Sequence, residues 1–112
     1  MTQINMLKPA AVWSFFEEIL AIPRPSKKEE KIIEYIIQFA EKNKLDYKKD
    51  EQGNILIRKD AAKGYENRMP VCLQSHLDMV CEKNSSSQHN FETDPIKTTI
   101  DGDWVRAVDT TL

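Results

Sequence analysis

Two histidines, two cysteines and three glycines are all that the 112 residues hold of those types. Cys72 and Cys81 bracket His76 in a Cys-x3-His-x4-Cys spacing, which offers three ligands where a structural zinc wants four. Nothing requires the two cysteines to pair, and a cytosolic location keeps both reduced. No apolar run approaches the ~18 residues of a membrane span. The start, Met1 to Pro9, lacks both a basic opening followed by an apolar stretch and a small-residue cleavage site, so the expected location is cytoplasmic. Without a secretory signal the sequon Asn84-Ser85-Ser86 carries little weight. An excess of one charge is missing too. Sixteen Lys and Arg stand against 18 Asp and Glu, a net charge of −2, and the basic residues are interleaved with acids, so neither nucleic acid nor a membrane is expected as partner. No internal repeat is present, and no low-complexity tract beyond the serines at 85–87.

What is there is ordinary soluble protein, 40% hydrophobic and 30% charged, with room for one domain and one core. Between Lys8 and Ile22, the residues Val12, Phe15, Phe16, Ile19 and Leu20 recur at helical spacing, and Pro23-Arg24-Pro25 ends the pattern. Ser26 then opens a second predicted helix, with Glu29 three residues on in capping-box position. Ile32, Ile33, Ile36, Ile37, Phe39 and Ala40 give that helix a face wide enough to lie on a sheet. Arg24 is expected to be a solvated linker residue, a functional role being the alternative. After Asn43 the period becomes extended, and the runs 45–50 and 54–59 flank Glu51-Gln-Gly-Asn54 as a predicted hairpin. A polar loop over 60–70 leads to the run Val71–Val80. Beyond it, Cys81–Asn90 is polar and aperiodic, a predicted surface loop that carries His89 on the surface rather than as a ligand. Asp101-Gly102-Asp103 between β-prone runs signals a second hairpin.

The run Val71-Cys-Leu-Gln-Ser-His-Leu-Asp-Met-Val80 is the candidate for a buried central strand. Its two-residue period puts Val71, Leu73, Ser75 and Leu77 on one face and Cys72, Gln74, His76 and Asp78 on the other. In that geometry His76 and Asp78 project together, and an imidazole beside a carboxylate can act as a metal ligand with the group that orients it. The competing reading is structural: a strand-end histidine bonded to a neighbouring loop, with Asp78 capping a turn.

Several stretches taken together carry a more specific signal. Ala21-Ile-Pro-Arg-Pro-Ser26 followed by Glu29-Glu30, then Phe39-Ala40, Gln52-Gly-Asn54, Gln74-Ser-His-Leu-Asp-Met-Val80, Lys83-Asn84, His89-Asn-Phe91, Asp94-Pro95 and Ile100-Asp-Gly-Asp-Trp-Val105 resemble the start of the aminoacyl-histidine dipeptidases. These Xaa-His dipeptidases, also called peptidase D, belong to the M20 group of metallopeptidases. The resemblance implies an α/β fold in which residues 1–112 are the N-terminal part of an M20-type zinc peptidase catalytic domain, two helices followed by a mixed sheet with hairpins. It implies a second, smaller lid domain that often mediates dimerisation, hence a homodimer, and a dipeptide as substrate. Two divalent metals, usually Zn2+ with Co2+ or Mn2+ as alternatives, would activate a water for attack on the peptide bond. Carried over by position, His76 is a metal ligand and Asp78 the catalytic carboxylate that orients its imidazole.

Family members usually continue past Thr-Thr-Leu into Gly-Ala-Asp-Asn-Gly, whose Asp bridges the metals, and this chain stops at Leu112. The bridging Asp, the glutamate base with its ligand neighbour, the further carboxylate and the final histidine of the family are therefore absent, and Asp109, where a small residue is usual, reads as a turn acid. Because a catalytic zinc takes about three protein ligands, the 112 residues alone are expected to be inactive. They are also expected to self-associate through uncovered strand edges. Two other readings need no metal: a small α/β interaction module complete in itself, and an inactive M20 relative that kept only the scaffold.

Overall fold

Helical spacing near the N-terminus becomes helix α1, Ala10–Leu20, in the computed structural model, which describes residues 3–110. A single 3-10 turn, Ile4–Met6, precedes it. Helix α2 runs Glu30–Lys42. The strands are β1 Asp46–Lys49, β2 Ile55–Arg58, β3 Lys97–Asp101 and β4 Trp104–Val108. The α/β class and both expected hairpins are borne out. Where one mixed sheet is predicted, however, the described residues form two separate two-stranded antiparallel sheets, β1–β2 and β3–β4.

The chain divides into two compact units, Met1–Ile32 with Asp78–Leu112, and Ile33–Leu77. In the first, Ile4, Leu20, Met79 and Ile96 are buried together, with Leu7, Trp13, Cys81, Phe91, Ile100, Val105 and Ala107 packed around them. Apolar side chains from distant parts of the sequence leave water at one point, which is what makes this unit cohere. The backbone amide of Ile96 donates to the carbonyl of Leu20 at 2.9 Å, tying the segment that leads into β3 to the last turn of α1. Strands β3 and β4 pair from Lys97 with Val108 to Asp101 with Trp104. Gly102 takes the first position of the two-residue turn at φ 58°, a conformation open to glycine at little cost.

In the second unit β1 pairs with β2 from Asp46 with Arg58 to Lys49 with Ile55. The turn between them is organised by Asp50. Its Oδ1 accepts from the amides of Gln52 at 2.9 Å and Asn54 at 2.8 Å, and its Oδ2 accepts from Asn54 Nδ2 at 2.8 Å. Gly53 sits in this turn at φ 90°, and a Cβ there would lie 3.1 Å from Ile33 Cδ1. Both the backbone angle and the close approach therefore call for glycine.

The run Val71–Val80 departs from expectation. Residues 71–78 belong to no helix or strand, and only Met79 takes part in a pairing, an isolated parallel bridge with Pro25. Val71 is 84% exposed and Leu73 92%. A two-residue period establishes which side chains share a face, but a strand exists only where a neighbour supplies N–H and C=O groups. None of the described strands takes in residues 71–78.

Candidate metal-binding site

His76 lies in the segment 71–78, outside any strand, and is exposed. Asp78, two residues on, is half-buried, and its Oδ2 accepts a short hydrogen bond from the Ser26 hydroxyl. Directly after it, the Met79 amide donates to the Arg24 carbonyl at 3.0 Å, and Met79 itself is buried in the first unit's core. The segment 24–26 is anchored at its other end as well. Arg24 Nη1 donates to the Ile19 carbonyl at 3.0 Å, inside the last turn of α1. Half-burial removes water from the guanidinium and pulls it below the usual arginine range. Arg24 is thus a strut and not the solvated linker residue that the sequence suggests.

Ser26 is also spent differently from expectation. The capping-box pattern assigns its hydroxyl to the start of α2, but the structure gives it to Asp78. Glu29 turns back instead to accept from the Lys27 amide at 2.7 Å, where Lys27 holds a left-handed φ of 69°. No short-range signal reveals this choice, because the two partners are far apart in sequence.

His89 is the second correction. Predicted on the surface, it is 8% exposed, its ring meets Phe91 edge-on at 4.7 Å, and its Nε2 has no hydrogen-bond partner among the described residues. The loop around it is held by its own bonds: Lys83 Nζ donates to the His89 carbonyl, and Ser87 Oγ donates to the Asp109 carbonyl at 2.7 Å. Asp94 accepts from the Asn90 amide at 2.9 Å, and that bond does most to hold its carboxyl below the usual range. Asp109 follows β4 at a φ of 64°, as a turn acid would. Cys81 is half-buried, and loss of water around the thiol, with Glu82 nearby, pushes it up.

The donor set can be tested against a metal directly. Among the described residues no three His, Cys, Asp or Glu side chains are grouped so as to hold an ion. An imidazole with a carboxylate two places on fits one ligand position and its orienting acid, and the described residues supply nothing more of a zinc site. Also among them, no helix is long and apolar enough to cross a membrane.

Comparison with known proteins bears on the rest. No family model matches the chain. It is 48% identical over all 112 residues to the cytosol non-specific dipeptidase of Escherichia coli (strain K12), of which it covers 23%. It matches the crystal structure of the aminoacylhistidine dipeptidase from Vibrio alginolyticus with a TM-score of 0.95 and 46% identity, over 99% of this chain and 23% of that one. The chain therefore spans about a quarter of the length of the relatives it matches, and over that span it shares the fold and nearly half the sequence of dipeptidases.

Proposed function

We propose that the whole protein is a metal-dependent dipeptidase of the M20 group that hydrolyses Xaa-His and related dipeptides, acts in the cytoplasm and assembles as a homodimer. The observation that carries this reading is 48% identity to a dipeptidase across every residue of the chain. A structural match at TM-score 0.95 to an aminoacylhistidine dipeptidase supports it independently of sequence spacing. In this reading His76 is a ligand to a zinc ion, with cobalt or manganese as alternatives, and Asp78 holds the imidazole in the tautomer that presents its lone pair. A bound divalent ion would supply a polarised water as the nucleophile for the peptide carbonyl. The remaining ligands and the proton-accepting base fall to parts of the whole protein outside residues 3–110, so the 112 residues by themselves are expected to be inactive.

The test is hydrolysis of an Xaa-His dipeptide by the purified whole protein before and after dialysis against a chelator. Activity is expected to vanish on dialysis and return with zinc. Undiminished hydrolysis by metal-free protein would exclude the metal, and failure to cleave any dipeptide would exclude the peptidase.

A further inference from the structure

We propose that the outer edge of β4 and the groove beside α1 receive an extended segment from the part of the whole protein outside residues 1–112, which joins the β3–β4 sheet as a third strand. The assignment rests on the dipeptidase reading above for the length of the whole protein, and it concerns the first unit alone. The groove there holds about 500 Å3, with Val12, Trp13 and Phe16 of α1 on one side and residues 103–107 on the other. Along β4, Val105 and Ala107 pack against the core cluster, while Arg106 lies on the opposite face, its Nε 2.9 Å from Asp101 Oδ2. Successive residues of a strand point to opposite faces, so the consecutive positions 104–107 can border one groove only along the strand's edge.

That edge is the one β3 leaves open. Strand β3 pairs with β4 from one side, Lys97 with Val108 to Asp101 with Trp104, and among the described residues no further strand lies on the other side of β4. The N–H and C=O groups along such an edge are a template for main-chain pairing. The helix beside it asks for apolar side chains. Ser14, Glu17 and Glu18 are the only polar residues of α1, yet Leu20 is its only buried one. Val12, Phe16 and Trp104 stand 59%, 38% and 68% exposed at the groove. A helix apolar around most of its circumference is one with neighbours on more than one side. With an apolar wall on one face and Arg106 on the other, the edge fits a strand whose residues alternate apolar and acidic. The chain covers 23% of each dipeptidase it matches, so in a whole protein of that length most of the polypeptide lies elsewhere and is tethered to this edge. Tethering gives a segment an effective concentration on the order of millimolar, which a second copy at micromolar concentration does not match.

The experiment makes Val12→p-benzoylphenylalanine and, separately, Trp104→p-benzoylphenylalanine in the whole protein at micromolar concentration. After illumination the cross-linked peptides are identified by mass spectrometry, hydrogen exchange is followed along 104–108, and hydrolysis of an Xaa-His dipeptide is measured in parallel. Both positions are expected to link within one chain to a segment outside residues 1–112. The β4 amides that point away from β3 should be protected as strongly as those that point toward it. Links between two chains would make the occupant a second copy and overturn the proposal. An intrachain link with fast exchange at the outward amides would overturn the strand pairing in favour of another kind of cover. No link at either position, with fast exchange, would leave the edge open and overturn the proposal entirely. Hydrolysis keeps the two readings apart: a protein that cleaves no dipeptide but forms the intrachain link loses the peptidase activity and keeps the third strand.

Discussion

Arg24 donates to the carbonyl of Ile19 from beyond the end of α1, whose last turn contains no basic residue of its own. The guanidinium therefore serves a helix terminus whose carbonyl oxygens carry partial negative charge. It does so while half-buried, where the bond gains strength from the loss of competing water.

Arg24→Ala is accordingly expected to destabilise the protein by about 1.5 to 3 kcal/mol, the scale of a hydrogen bond that involves a charged group. Thermal unfolding should show the loss, and hydrogen exchange should accelerate at Ile22, whose amide also donates to the Ile19 carbonyl. An unchanged melting temperature with unchanged exchange would deny the strut.

Leu20 is the α1 residue buried in the first unit's core, 6% exposed beside Ile4, Met79 and Ile96. Truncation to Ala should cost about 2 to 5 kcal/mol, because the neighbours relax only partly into the space left behind. Val12→Ala on the same helix, at a position 59% exposed, should cost far less. Equal losses at the two positions would contradict the packing described.

The β1–β2 turn should weaken in acid. Asn54, first through its side chain, and then the turn amides hold the Asp50 carboxyl below the usual range. A carboxyl depressed by folding contributes stability that is present above its unfolded pKa and is lost as pH falls through the lower folded value. Carbon-detected NMR of the carboxyl should therefore place its titration below that of a free aspartate, and Asp50→Asn should remove the acid dependence of amide protection at Asn54. Titration at or above the free value would refute the turn network.

The 112-residue polypeptide on its own should self-associate. Val71 at 84% and Leu73 at 92% exposure lie in a segment that belongs to no strand, and bare apolar side chains of this kind favour association. Sedimentation at micromolar concentration should show dimers or larger species, and Leu73→Lys should shift them toward monomer. A clean monomer across that range would count against the prediction.

Periodicity made much of this molecule legible. The helical spacing from Val12 to Leu20 and from Ile32 to Ala40 locates α1 and α2, and Asp101-Gly102-Asp103 locates the β3–β4 turn, because each signal is local and the structure uses it locally. The failures share one cause. Alternation in Val71–Val80 gives faces but no neighbour, so a paired strand cannot be inferred from it. The Ser26 and Glu29 pattern is a sound cap signal, overridden by a carboxylate 52 residues away. His89 sits in polar sequence, yet Phe91 and the bonds from Lys83 and Ser87 close the loop around it. At the candidate site the sequence names His76 and Asp78, while Ser26 becomes visible only once Pro25 and Met79 are seen to bridge.

The cluster of Ile4, Leu20, Met79 and Ile96 also sets a timetable for the nascent chain. Ribosomes add ~5 to 20 residues per second, so α1 emerges roughly 4 to 15 s before Ile96 is made and its apolar stripe can be covered. During that interval Leu20 and Trp13 lack the partners that bury them in the finished fold, which makes the first helix the natural point of engagement for a chaperone during translation.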